Sequence, residues 1–144
     1  AAVRLAAERA TAADIAEIEA AYAGMKSAIE EGGDYVSSDL RFPQGLLRAC
    51  HNRMVVQMSK ALGALLRTSF ELSTARPDGP AQSLPLHRAV LDAVIARNAG
   101  KAERAILVQI DGAADDIEQV LASRRKLPSL AIPAQRLLPR RAAV

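Results

Sequence analysis

The stretch "TAADIAEIEAAYAGMKSAIEEGG", residues 11–33, leaves little choice of fold. Thr11 stands where a helix N-cap belongs, and Asp14 three residues on completes a capping-box pair. Ile15, Ile18, Tyr22, Met25 and Ile29 then recur at helical spacing and make one apolar face. Gly32 and Gly33 end the pattern. A helix with one apolar face must bury it against something, and the rest of the chain offers only more helices. Ala, Leu, Ile and Val carry the hydrophobicity, aromatic residues make up 3%, and there is no Trp. No segment alternates as a strand does. The expected fold is all-α, an antiparallel bundle of about six helices.

Five other helices are expected. Residues 1–10 are helical from the start with no cap before them, as in a chain that begins inside a longer segment. A third helix opens at Asp34 and meets Pro43. A fourth, apolar around much of its circumference, covers 52–74. "ARPDGPAQSLP", residues 75–85, reads as a loop that leads into a helix near Ser83 and Pro85. The fifth helix, 86–98, closes at Asn98 and Gly100, and the sixth covers 101–125. The remainder has three prolines and no period.

The formal net charge of +3 belongs to the C-terminus. Six bases and no acid come after Ser123, so residues 1–123 carry 13 bases against 16 acids. The expected organisation is a mildly acidic helical body over 1–123 and a basic, solvated tail over 124–144. The body has no basic stripe with interleaved aromatics, so this chain alone is expected to be a poor nucleic-acid binder. No apolar run approaches the roughly 18 residues of a membrane span. A single cysteine, Cys50, precludes an internal disulfide and fits a reducing cytoplasm. Its place on an apolar face predicts a buried thiol rather than a nucleophile.

Within "DLRFPQGLLRACHN", residues 39–52, Asp39, Phe42, Leu46, Ala49 and Asn52 keep helical spacing, yet Pro43 and Gly45 interrupt them. Proline inside a helix costs roughly 3 kcal/mol and orphans the carbonyl four residues back, here that of Asp39. Either Pro43 is the first residue of a new helical segment, or one helix runs through with a kink and an open Asp39 carbonyl. Asn52 is expected to cap or brace the next junction, and His51 to lie at the surface beside it.

Signatures of hydrolases, metalloproteases, P-loop enzymes and dinucleotide-binding folds are missing, so an enzyme is not expected. The informative pattern begins at His87. Val90 and Ala93 continue its face, Asn98 marks a turn, Ala102 resumes the face, and Gln109–Ile110 lie twenty-two and twenty-three residues on. This resembles the C-terminal FCD ligand-sensing domain of GntR-family transcription regulators, in the FadR-like branch. The family pattern runs His, branched aliphatic, Ala, Asp or Asn, Ala, then His–aliphatic at these spacings. The family's other motif, Asp-x-x-Phe-His-x-x-Leu-x-x-Ala-x-x-Asn, is matched by Asp39, Phe42, Pro43, Leu46, Ala49 and Asn52. "LAAERATAADIAEIEAAYAGM" looks like the family's first helix pair. The resemblance covers about residues 3–123.

In many members of that family an aspartate and three histidines hold a divalent metal. Asp39 and His87 stand at two of those positions here, Pro43 and Gln109 at the others. The resemblance therefore implies a pocket lined by Asp39, Pro43, His87 and Gln109 with no tight metal and no other cofactor. It also implies a small carboxylate effector. Without a metal such an anion needs another cation, and Arg67 on the fourth helix is the candidate. The acidic cluster Asp111, Asp115, Asp116 and Glu118 reads as a solvated helix face. The expected function is effector sensing and homodimerisation for a bacterial regulator, with operator DNA bound through an N-terminal domain that these residues do not contain. The alternative is a helical dimerisation or interaction module with a degenerate pocket.

Overall fold

The computed structural model describes residues 1–61 and 63–125. Among the described residues there are seven helices and no strand: α1 (Ala2–Arg9), α2 (Ala12–Glu31), α3 (Tyr35–Ala49), α4 (Arg53–Ala61), α5 (Gly63–Ser73), α6 (Gly79–Ile95) and α7 (Ala99–Arg125). The basic tail expected over 124–144 lies, from Lys126 on, outside the described residues.

Helix α2 forms as expected. Thr11 Oγ1 accepts from the Asp14 backbone N–H, and the Asp14 carboxylate accepts from the Thr11 N–H at 2.8 Å. Gly32 takes φ +81° at the helix end, where an L side chain would be strained. Ile18, Ala21 and Met25 are buried against α3 and α6. Helices α2 and α3 pair through a short connection, as do α6 and α7, and α1 packs across α3, α6 and α7. Phe42, Leu46 and Ala49 from α3, Val90, Leu91 and Val94 from α6, Ala102 from α7 and the small residues Ala6 and Ala7 from α1 fill the centre. Cys50 is buried there too, its thiol on the Leu47 carbonyl.

Two expectations about helix boundaries are corrected. The stretch expected as a fourth helix is helical on both sides of Leu62, as α4 and α5, and Leu62 itself lies outside the described residues. Helix α6 begins at Gly79 rather than near Ser83, because Pro80 sits in its first turn, where a missing N–H costs nothing. Pro85 is then inside the helix on the exposed side, and the carbonyl it orphans, that of exposed Ala81, faces water. Nor do Asn98 and Gly100 close α6. Arg97 takes φ +56°, with its own N–H on the Val94 carbonyl and the Asn98 N–H on the Ala93 carbonyl, a Schellman end. Asn98 turns to α7, its side chain accepting from the Lys101 N–H at 2.9 Å.

Helix α3 runs from Tyr35 to Ala49 through Pro43, so the helix continues past the proline instead of starting anew there. Asp34 caps it through the Ser37 N–H. Gly45 has a separate task. A Cβ there would meet Ile18 Cγ1 at 2.9 Å, so the glycine sets how closely α3 lies on α2. At the far end His51 takes φ +47° and reaches back to the start of α2. Asn52 caps α4 as expected, accepting from the Met54 and Val55 N–H groups.

Candidate functional site

Asp39, on the α6-facing side of α3, is one of two buried polar or charged side chains among the described residues of the core; the other is His87 of α6. They meet. His87 Nε2 lies 2.9 Å from Asp39 Oδ1 and 2.9 Å from the Gln109 side-chain nitrogen on α7. The Phe42 ring stands edge-on to the imidazole at 4.9 Å and shields it. On the other side of the ring, Nδ1 lies 3.0 Å from the Ser83 carbonyl and 3.2 Å from its hydroxyl. The ring's tautomer decides whether Nδ1 donates to that carbonyl or accepts from the hydroxyl. Nε2 is aimed at Asp39 and Gln109. A ring nitrogen and a carboxyl oxygen at 2.9 Å need a proton between them. Whichever atom holds it, the pair carries no net positive charge.

Gln109 and Tyr35 carry the remaining unpaired valences. Gln109 Oε1 and Tyr35 Oη are buried without a hydrogen-bond partner. An amide has one donor end and one acceptor end, and only one of them meets the imidazole here. The Tyr35 phenol is pushed above its ordinary value, first by burial and then by the negative charge of Asp39.

Above this floor opens a cavity of about 330 Å³ between α3, α6, α7 and the turn that joins α5 to α6. Its wall is about half polar: Thr74, Gln82, Ser83, Gln109 and Gln119 contribute neutral hydrogen-bonding groups, Asp115 and Asp116 contribute carboxylates, and Leu86, Gly112 and Ala113 are among the apolar remainder. Among the described residues of the lining, Arg76 is the guanidinium, and it pairs with Asp116.

The expected site residues divide accordingly. Asp39, His87 and Gln109 converge, although their separation along the chain is large. Pro43 and Arg67 do not join them. Pro43 lies in a separate crevice with Leu40, Gln44, Leu47, Ser59 and Gly63. Four residues turn a helix by one turn plus about 40°, and the short ring does not reach back toward Asp39. Arg67 is on the outer side of α5, more than half exposed and paired one turn on with Glu71 at 3.6 Å. The cavity's cation is Arg76, inside the stretch read as a bare loop. The acidic cluster divides too: Asp116 lines the cavity half-buried and Asp115 lines it while exposed, and Asp111 and Glu118 are exposed outside it. A periodic reading from Gln109 finds Asp116 and Gln119, because 109, 112, 113, 116 and 119 share one helix face.

As a metal site the floor is a poor fit. It offers one imidazole, one carboxylate and one neutral amide, and among the described residues no three His, Cys, Asp or Glu side chains are grouped to hold an ion.

Comparison with known proteins shows the family. The FCD domain family matches residues 1–112. The chain belongs to the GntR family of transcription regulators, and its helical body is an FCD domain. A curated relative, the galactonate operon transcriptional repressor of Escherichia coli (strain K12), is 31% identical over 118 residues. That alignment takes in 81% of this chain and 52% of the relative, so the chain spans about half the length of the protein it matches. Within this FCD domain the cavity is built by α3, α6, α7 and the α5–α6 turn. Among the described residues no helix is long and apolar enough to cross a membrane.

Proposed function

We propose that this FCD domain senses a small, hydroxyl-rich organic acid and reports its presence to a DNA-binding domain of the same regulator. The observation that carries the reading is the cavity of about 330 Å³ above the His87–Asp39–Gln109 floor. It lies at the small end of the range for ligand pockets, roughly 300–1,000 Å³. Ligand pockets are usually mostly apolar, with a few polar groups; this one presents amides and hydroxyls from three elements. Such groups match a ligand with a hydroxyl on most of its carbons. The E. coli relative is named for the operon of galactonate, a sugar acid, and that supports the same class.

The mechanism proposed is a population shift, in which the occupied cavity favours one placement of two subunits over another. A homodimer is part of the proposal. Leu107, Ile110 and Leu121 on α7, and Met54 and Met58 on α4, are exposed apolar side chains that a second copy would cover. Operator DNA is proposed as the partner of the other half of the regulator, and no reaction is assigned to the cavity.

The test is a thermal-shift and calorimetric screen of sugar acids, unhydroxylated carboxylates and neutral polyols, with and without divalent metals. A ligand at a hundred times its dissociation constant adds about 2.7 kcal/mol of stability. Stabilisation by sugar acids without added metal supports the reading. No stabilisation by any acid overturns it in favour of an interaction module with a degenerate pocket.

A further inference from the structure

We infer that Arg76 is the carboxylate-binding residue of this cavity, and that Asp116 occupies it as a stand-in when no effector is bound. The inference rests on the proposed sensing of an organic acid and adds where the acid end sits and what it must displace.

The floor of the cavity is unsuited to an anion. His87 and Asp39 pair at 2.9 Å, so no net positive charge is left there. A carboxylate placed on the floor would face the Asp39 oxygens. What the floor lacks is a hydrogen-bond partner for the buried Gln109 Oε1. A hydroxyl supplies that partner by donating; a carboxylate has no hydrogen to give. The hydroxyl-bearing end of a ligand therefore belongs at the floor and the acid end at the mouth.

At the mouth, Arg76 is already bound to a carboxylate, that of Asp116, with both side chains about two-thirds or more buried. A guanidinium matches a carboxylate of any origin. Arg76 sits on the turn between α5 and α6, and Asp116 lies two helical turns beyond Gln109 on the same face of α7. An effector carboxylate that takes Arg76 therefore releases the tie between that turn and the C-terminal half of α7. Exchange of one carboxylate for another leaves the guanidinium paired throughout, so the exchange avoids a bare buried charge.

The experiment measures binding of D-galactonate, succinate and citrate, with galactitol as the neutral counterpart of the first, to wild type, Asp116→Asn, Arg76→Gln and Arg76→Lys. Circular dichroism confirms that each variant is folded. Asp116→Asn removes the competitor and is expected to tighten the acids five-fold or more, with galactitol within two-fold of wild type. Arg76→Gln is expected to weaken the acids ten-fold or more, again sparing galactitol, and Arg76→Lys to restore part of the loss. Equal loss of galactonate and galactitol in Arg76→Gln would show a merely structural role and overturn the inference. So would acid binding that Asp116→Asn weakens or leaves unchanged. If wild type binds acids and only these variants behave otherwise, the exchange fails and the sensing proposal stands. If no acid binds to wild type or to Asp116→Asn, both fall.

Discussion

His87 and Asp39 meet at 2.9 Å at the centre of the bundle, on helices separated in sequence by the whole α4–α5 segment. A pair removed from water in this way is held less by its own attraction than by the penalty for stranding either member alone. Asp39→Ala leaves an imidazole facing an empty space, and the expected loss is about 3–5 kcal/mol in urea unfolding. Replacing both members with leucine returns a good part of that loss, because no buried polar group is then stranded. A loss below about 1 kcal/mol for Asp39→Ala would mean that water reaches the pair.

Gly45 and Gly24 both lie on the α2–α3 contact, yet alanine is expected to act in opposite directions at the two. At Gly45 the added Cβ meets Ile18 Cγ1 at 2.9 Å, in a packed core where the neighbour has no room to yield. Overpacking there is expected to cost about 1–3 kcal/mol. At Gly24 the nearest atom is the Ser38 hydroxyl at 2.7 Å, which rotates aside. The gain in helix propensity, about 1 kcal/mol, then decides the sign. Thermal melts of the two single variants check this, and equal destabilisation at both positions would contradict it.

Much of this fold is legible in the sequence, and the parts that are not have physical causes. Helix α2 is readable because cap, period and stop agree within one segment. The meeting of Asp39, His87 and Gln109 is readable only through the family resemblance, since helical period gives a residue's face and not its partner on another helix. Arg76 escapes a sequence reading because Pro77, Gly79 and Pro80 mark a turn, and a turn pattern says nothing about which side chain points inward. Arg67 attracts attention because its helix is plain, but α5 puts that side chain outward with Glu71. Pro43 and Pro85 mislead in the same way. Each breaks a backbone hydrogen bond, yet tertiary packing carries the helix past both.

The start of α2 is expected to weaken in acid. Burial alone would raise the Asp14 carboxyl. The Thr11 N–H and hydroxyl, together with His51 at 2.8 Å, outweigh it and hold the group below the ordinary carboxylate value. A carboxyl depressed in the folded state binds its proton more weakly there than in the unfolded chain. Its stabilisation is therefore complete above the unfolded value of about 3.9 and is lost as pH falls through the lower folded value. Asp14→Ala is expected to destabilise by about 1 kcal/mol near neutrality, the usual worth of a cap, and by little once the carboxyl is protonated. Urea titrations of both proteins along a pH series check this; a difference that persists unchanged into strong acid would contradict it.

Sedimentation is expected to give a dimer at micromolar concentration. Leu107, Ile110 and Leu121 recur at spacings of three and eleven along α7 and stand exposed, as a helix seam does before its partner is added. A charge in the middle of such a seam is costly to bury, so Ile110→Glu is expected to shift the protein toward monomer while its helical content stays unchanged. A wild-type monomer at every concentration would refute the dimer.

Retention of a tight transition metal is not expected, and the reason lies in two side chains. Zinc, nickel and iron in such a site need several imidazoles converging on one ion. Here His87 Nε2 is the imidazole donor and Asp39 the carboxylate, while the third group at 2.9 Å is the amide of Gln109. An amide oxygen suits harder ions and binds weakly. The fourth family position, Pro43, has no donor atom and lies in another crevice. The converse substitution is the sharper test. Gln109→His sets an imidazole where the amide already reaches His87. Pro43→His adds a side chain long enough to turn back toward Asp39 and returns the N–H that the Asp39 carbonyl lacks. The double variant is expected to retain close to one equivalent of zinc or nickel per chain after dialysis and to lose it on His87→Ala. Protein for this measurement is purified without a metal-binding tag. One equivalent held by the wild-type chain would overturn the argument, because it would show that a single imidazole, one carboxylate and solvent suffice at this floor.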